Sequence, residues 1–404
     1  MSSIDIKKNI VLTVMSKSLI MALNFAVIVL TTQLWGAAGR GSIAIFVADL
    51  GLISIFANVF TGSSISYFFS RIGFSKLSSL AHVWSLVVGT VAAAVLFTFG
   101  QNQIAPFIFT AATLMGIFAF HNSLFVGSQR IDRYNLFTVL QPLSLLLLML
   151  AFYWIWPSLG YYCYFFAQSF SLLILIAVCY AMRQKMKIRL HWDWDLTAAK
   201  EVFSFGWKTE LSSLLQFFNY RLTYYVLDFY FGRSSVGVFS IGVNVASAIW
   251  IISQSMSMVQ FSNVLKQGNT RLSRKETMSI ALASLGISAL SLGAVVLLPA
   301  SWFAFAFGPE FGEAKRVVLA LAPGILALAF SNVIGNYFSA IRHLNILIVK
   351  SAIGLVVTLS LAFVLVKQYA IDGACIVNSA SYIVSSIVLL LYYFSKKSHS
   401  DIYE

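Results

Sequence analysis

Residues 35–46 read WGAAGRGSIAIF and residues 231–242 read FGRSSVGVFSIG. The two stretches align without a gap at an offset of 196, which sets Gly36 on Gly232 and Gly41 on Gly237. Each pair of glycines is expected to bracket a tight turn between two long apolar runs, where glycine supplies backbone angles that other residues avoid. Such a match between distant places in one chain points to an internal repeat.

The runs on either side decide the environment. Of the 404 residues, 59% are hydrophobic and 10% are charged, and the mean hydropathy is +0.85. Soluble domains carry about 25% charged residues, whereas a helix crossing a bilayer needs roughly 20 mostly apolar residues to span about 30 Å. Runs of that length recur near 10–35, 42–70, 77–99, 105–127, 135–156, 160–182, 203–231, 234–260, 277–299, 314–341, 345–367 and 371–394. The expected fold is therefore all-α, a polytopic membrane protein of twelve transmembrane helices. A membrane barrel would show short alternating strands instead. Lys7 and Lys8 precede the first run, but its length and its interior Lys17 do not fit a cleaved signal.

The longest polar connector follows the sixth run. It divides the chain into an N-terminal six-helix bundle (1–182), a linker (183–202) and a C-terminal six-helix bundle (203–404). Each half holds an even number of spans, so the two copies keep one orientation and form a parallel repeat. With the N-terminus in the cytoplasm, 18 Lys and Arg fall in connectors on that side and five on the other. The positive-inside rule therefore places both termini in the cytoplasm. The same distribution explains the net charge of +13 without a nucleic-acid partner. Cys163, Cys179 and Cys375 all lie inside apolar runs, with no disulfide framework and no metal spacing. The Asp193-x-Asp195 pair in HWDWD resembles a metal spacing, but a capping segment ahead of the seventh span explains it better. No phosphate loop and no HExxH motif occur, and no cofactor is expected.

Charges within the spans are costly and usually face a bundle interior or a watery cavity. Lys17, Asp49, Lys208, Glu210, Arg221, Asp228 and Lys350 are the candidates. Lys208, Glu210 and Lys350 lie near a membrane end, within reach of the interface. Arg221 sits near the middle of FFNYRLTYYVLDFYFG (217–232), and on a helical wheel Asp228 and Glu210 fall within about 20° of it. The first span offers Lys17, Asn24 and Thr31 at intervals of seven, the second Ser42 and Asp49, and the eighth Ser240, Asn244, Ser247 and Gln254. All four helices open a half, which points to a shared polar chamber. A purely structural role competes with this reading, since Arg221 can pair with Asp228 or Asp49 to hold helices together. The aromatic residues of 217–231 serve packing as readily as binding, although Tyr220, Tyr224 and Tyr225 beside a cation can stack on sugar rings.

Three stretches, GAAGRGSIAIFVADL (36–50), the segment 209–246 and FGPEFGEAKRVVLALAPG (307–324), resemble the polysaccharide transporter family of the MOP flippase superfamily, the Wzx-type O-antigen flippases. The resemblance covers the whole twelve-span plan, and none of its stretches is catalytic, so no enzyme activity is expected. It implies translocation of undecaprenyl-diphosphate-linked oligosaccharide from the cytoplasmic to the periplasmic leaflet of a bacterial inner membrane. The glycan would be O-antigen, capsule or exopolysaccharide. A polysaccharide polymerase and chain-length machinery are implied as partners, besides membrane lipids.

A lipid-linked sugar carries a diphosphate and hydroxyls that cannot cross oil, and a guanidinium is well suited to bidentate phosphate contact. The expected substrate-binding residues are Arg221, Lys17, Lys208, Asn24, Asn244, Gln254 and Tyr224. Asp49 and Asp228 are the expected ion-coupling carboxylates, with Asp228 holding Arg221 while the site is empty. Pro142 and the Pro323–Gly324 pair are expected flexing points. Lys17, Lys208 and Arg221 face Asp49, Glu210 and Asp228, an even balance that an anion chamber would not favour unless some carboxylates are protonated or several of the six do not share the chamber. Two other functions compete: a cation-coupled multidrug exporter of the same superfamily, and a membrane-bound glycan polymerase or transferase.

Overall fold

The computed structural model describes residues 3–69, 71–184, 193–267, 270–341 and 343–395, and every regular element among them is helical. The helices are α1 (Ser3–Thr61), α2 (Ser63–Phe68), α3 (Phe74–Thr98), α4 (Ala105–Gly127), α5 (Ile131–Ile155) and α6 (Tyr162–Gln184). They continue with α7 (Leu196–Gln267), α8 (Thr270–Leu297), α9 (Ala300–Phe307), α10 (Ala314–Ala340), α11 (Leu344–Leu361) and α12 (Lys367–Phe394).

Among the described residues, nine stretches are long and apolar enough to cross a bilayer, and the chain is a multi-pass membrane protein. Three of the nine are far longer than one crossing: Met15–Phe68, Leu196–Met258 and Asn345–Phe394, with 54, 63 and 50 residues. At 1.5 Å per residue even the shortest would extend roughly 75 Å, more than twice the hydrocarbon thickness. Each contains one residue with left-handed angles, at Gly36 (φ 61), Gly232 (φ 75) and Ala370 (φ 48). The three breaks fall in the gaps between spans expected from the sequence.

The paired glycines divide their work. Gly36 and Gly232, the first of each pair, take the non-helical angles. Gly41 and Gly237, the second, are needed for space. A Cβ on Gly41 would sit 1.8 Å from the carbonyl oxygen of Arg233, and one on Gly237 would sit 2.0 Å from that of Ala37. Ala37 and Arg233 are themselves related by the repeat offset, so the contact is made twice, once by each copy.

The chain divides into two compact units. One comprises Met1–Trp35 with Phe46–Leu214, the other Gly36–Ile45 with Leu215–Glu404. In the first, α3 packs on α4, and α6 packs on α4 and α5. Phe60, Phe68, Leu80, Phe120 and Val202 belong to its core. The last residue of HWDWD, Asp195, caps α7. Asp195 Oδ1 accepts the Thr197 and Ala198 amides at 2.9 and 3.2 Å, as an N-cap residue does. Its Oδ2 meets Lys76 at 2.8 Å, and that hydrogen bond holds the carboxyl below the usual carboxylate range.

In the second unit α10 packs on α8 and α12, and α11 on α12, around Val333, Tyr337, Phe338, Leu389 and Tyr393. Helices α5 and α10 continue through Pro142 and Pro323. Gly324 admits α12, because a Cβ there would lie 2.7 Å from Ser379 Cα. The GPEF turn also gains a purpose. The carboxylate of Glu310 accepts the backbone N–H of Ala37, the first residue after the Gly36 break. A carboxylate at a newly started helix satisfies an orphan amide and the positive end of the helix dipole.

Gly41→Val and Gly237→Val should each destabilise the detergent-solubilised protein by about 1–3 kcal/mol, the usual cost of overpacking. Gly286→Ala and Gly293→Ala, where an added Cβ meets nothing within 4 Å, should melt like the parent. Equal melting temperatures for all four in a thermal unfolding series would show that the crossing is not tight.

Candidate functional site

Helix α7 reverses at Gly232, and its two arms carry most of the candidate site. Tyr220 and Arg221 stand on the arm before the break, and Val243, Ala246, Ser247 and Trp250 on the arm after it. Together with Leu321, Ile325 and Leu328 of α10 and Asn378 and Tyr382 of α12 they line one cavity, wholly inside the second unit.

Aromatic rings set its walls. Tyr220 meets Trp250 edge-on at 5.5 Å between centroids and Tyr382 at 5.4 Å. The Gln216 side-chain amide donates to the Tyr220 hydroxyl at 2.9 Å and fixes that ring. The Arg221 guanidinium lies over the ring of Tyr224 at 4.8 Å, and Tyr224, fully buried, rests edge-on against Phe239. A ring face attracts a cation without neutralising it.

The polar groups of the lining are mostly donors. Arg221 has no carboxylate within ion-pair distance among the described residues, where the ion pairs are Lys76–Asp195, Asp228–Arg233 and Arg316–Asp372. The indole N–H of Trp250 and the side-chain N–H of Asn378 are buried with no acceptor among the described residues. The Asn378 side-chain oxygen is occupied, accepting from Thr223 at 3.1 Å. No lining residue is acidic. A buried donor without an acceptor is costly; Trp250 and Asn378 hold two such donors, and Arg221, half-buried, adds its guanidinium to the same lining. A second polar cluster adjoins on α7, where Asn219 donates to the Ser351 carbonyl at 2.8 Å and Thr358 bonds Asn219 Oδ1 at 3.5 Å.

The structure brings some expected residues together at this cavity and leaves others outside its lining. Arg221 and Tyr224 stack, although Tyr224 is not in the lining itself. Asp228 corrects the expectation that it would hold Arg221: its carboxylate pairs with Arg233 at 3.2 Å. Arg233 follows the left-handed Gly232, and a wheel drawn on an unbroken helix cannot foresee that reversal. Asn244 and Gln254 belong to the second unit, outside the lining, and Gln254 is exposed. Lys17, Asn24, Asp49 and Lys208 belong to the first unit, with Lys17, Asn24 and Lys208 exposed and Asp49 half-buried. Lys350 is half-buried on α11. The sequence reading missed Trp250, Asn378 and Tyr382. The polar density of VNSASYIVSS (377–386) in an apolar helix was the available signal for the last two.

Residues 66–311, more than half of the chain, match the model of a family described as polysaccharide biosynthesis protein, and the chain belongs to that family. A capsular polysaccharide biosynthesis protein, CapF of Staphylococcus aureus, is 25% identical over 201 residues, which are 49% of this chain and 50% of that protein. The chain thus matches about half the length of this curated relative. Among solved structures, the lipid II flippase MurJ in an inward closed conformation superposes with a TM-score of 0.76 at 11% identity, covering 95% of this chain and 88% of that one. A multidrug resistance MATE family transporter of the MOP superfamily, inward-facing, gives 0.72 at 14% identity, covering 97% and 99%. At such identities the likeness is one of fold: the chain has the MOP-superfamily transporter fold, as its sequence resemblance implied.

The pairing of Asp228 can be checked by a double-mutant cycle on thermal stability. Asp228→Asn and Arg233→Gln should couple by about 0.5–3 kcal/mol, as contacting residues do. Asp228→Asn and Arg221→Gln should be additive within about 0.5 kcal/mol. The reverse pattern would restore Asp228 as the partner of Arg221.

Proposed function

We propose that this member of the polysaccharide biosynthesis protein family is a flippase for an undecaprenyl-diphosphate-linked oligosaccharide, carrying it from the cytoplasmic to the periplasmic leaflet of a bacterial inner membrane. The observation that carries the reading is the cavity whose donors, from Arg221, Trp250 and Asn378, have no acceptor among the described residues while no acid lines it. A diphosphate supplies acceptor oxygens and negative charge together, and charge-assisted bonds to a guanidinium are among the strongest available. Tyr220, Trp250 and Tyr382 supply flat faces for sugar rings. A cavity built for cationic drugs would place carboxylates where this one places donors, which disfavours the exporter reading. In this proposal the chain crosses the membrane twelve times, in bundles 1–182 and 203–404 joined by 183–202, with both termini in the cytoplasm. The chain acts by transport and not by catalysis. Asp49 and the Asp228–Arg233 pair are the places for a coupling ion, and the polymerase and chain-length machinery take up the product outside.

In a strain lacking this chain, lipid-linked oligosaccharide should accumulate on the cytoplasmic leaflet. Arg221→Lys should restore part of the export. Arg221→Gln, losing a charged hydrogen-bonding partner, should cut it on the order of tenfold or more. Normal export by an Arg221→Gln protein made at parental levels would make the arginine scaffolding. Accumulation on the outer leaflet instead would select a polymerase.

The orientation has its own check. Single cysteines placed at Asp132 and Ser301 in a cysteine-free background should differ toward an impermeant thiol reagent on intact spheroplasts, with position 301 labelled and 132 protected. The opposite pattern would invert the topology and the direction of transport.

A further inference from the structure

A second cavity lies in the first unit, far along the chain from Arg221, at the end where α4 turns into α5. Its wall is made by Phe69 from the connector before α3 and Phe74, the first residue of α3, by Leu124 and Phe125 of α4, and by Cys179 and Met182 of α6. His121, Ser128, Arg130 and Arg133 complete it. The arginines are held there by a defined turn. The Gln129 amide donates to the Val126 carbonyl at 3.0 Å and the Arg130 amide to the Phe125 carbonyl at 2.8 Å. With Gln129 at φ 57 this is the helix-ending motif that ordinarily carries glycine at the left-handed position. The reversal folds Arg130 back over the end of α4, one helical turn from Arg133. Behind them His121, only 4% exposed, stands edge-on to Tyr180 at 4.8 Å, whose hydroxyl meets His82 Nε2.

Two chemistries meet in this pocket. Phenyl, leucyl, thiol and thioether walls give a free anion no reason to enter. Two guanidiniums at one end give a hydrocarbon chain none. An amphiphile with an anionic head satisfies both, and basic pockets between membrane helices on the cytoplasmic side are known to take such head groups. We propose that this cavity is a binding site for an anionic phospholipid of the cytoplasmic leaflet. Its phosphate lies on Arg130 and Arg133, and its glycerol and first acyl methylenes lie against Phe69, Phe74 and Phe125. The proposal is independent of what the cavity at Arg221 binds.

The full-length protein in detergent, examined by native mass spectrometry with dioleoyl phosphatidylglycerol and dioleoyl phosphatidylcholine, tests it. The parent should prefer phosphatidylglycerol, and each Arg→Gln change at 130 or 133 should weaken that preference about fivefold. Arg130→Lys/Arg133→Lys, keeping the charge, should retain most of it. A photoactivatable phosphatidylglycerol should cross-link the parent within 121–133, a readout that needs no variant. Equal retention of the two lipids by the parent, or a cross-link confined to segments that do not line the cavity, would overturn the site. So would an Arg130→Gln/Arg133→Gln protein that melts like the parent and keeps its preference.

Discussion

The close crossing of residues 37–41 with 233–237 constrains everything built on the second unit. Each strand of backbone presses a carbonyl onto the bare Cα of a glycine in the other, at positions the repeat makes equivalent. In a bilayer this matters more than in water. Lipid tails are as apolar as leucine, so helices associate through close packing and polar contacts and not through the hydrophobic effect. Around the crossing the polar contacts gather within about one turn. Glu310 caps Ala37, Arg40 donates to Ser240 at 3.3 Å, and Arg233 pairs with Asp228. The two breaks at Gly36 and Gly232 are thereby pinned from several sides, and the arms that leave them have fixed starting points.

Two arginines twelve residues apart illustrate how the unit distributes charge. Arg233 has a carboxylate beside it and is locally neutralised. Arg221 has a ring. Stacking on Tyr224 stabilises the guanidinium by about 0.5–2 kcal/mol, but it leaves the full positive charge in the cavity. A carboxylate in the same place would cancel the field that an anion responds to, and it would have to be displaced on every binding event. Of the six charges that make an even balance in the sequence, Arg221 alone lines this cavity, which agrees with the alternative that several of them do not share the chamber.

The repeat, the long apolar helices and the break positions were legible because each is a local property of the sequence. Glycine at 36 and 232 marks unusual angles wherever it sits between apolar runs. Arg221 was legible for a similar reason, since a charge among aromatic residues in a span has few bland explanations. The pairing of Asp228 was not, because a helical wheel assumes one axis and Arg233 stands just beyond the residue that changes it. Trp250 reaches the cavity only through the packing of α7, which no local pattern records, and the polar density of 377–386 marks Asn378 and Tyr382 as unusual without saying which cavity they line. The role of Glu310 was hidden likewise, 273 residues from the amide it caps.

The break that makes the repeat also makes the site. Arg221 and Trp250 are 29 positions apart, and on one straight helix they would be separated by roughly 43 Å, too far to line one cavity. They share it because α7 folds back at Gly232. The first copy has the equivalent break at Gly36, yet the same offset places Phe25 opposite Arg221, Ile28 opposite Tyr224 and Ser54 opposite Trp250. The architecture is duplicated and the donors are not. Had the arginine served to brace the crossing, both copies would need it, because both make the crossing by the same glycine contact. Its presence in one copy alone sets it apart from the crossing that both copies make, which is in keeping with the ligand-binding role proposed for it.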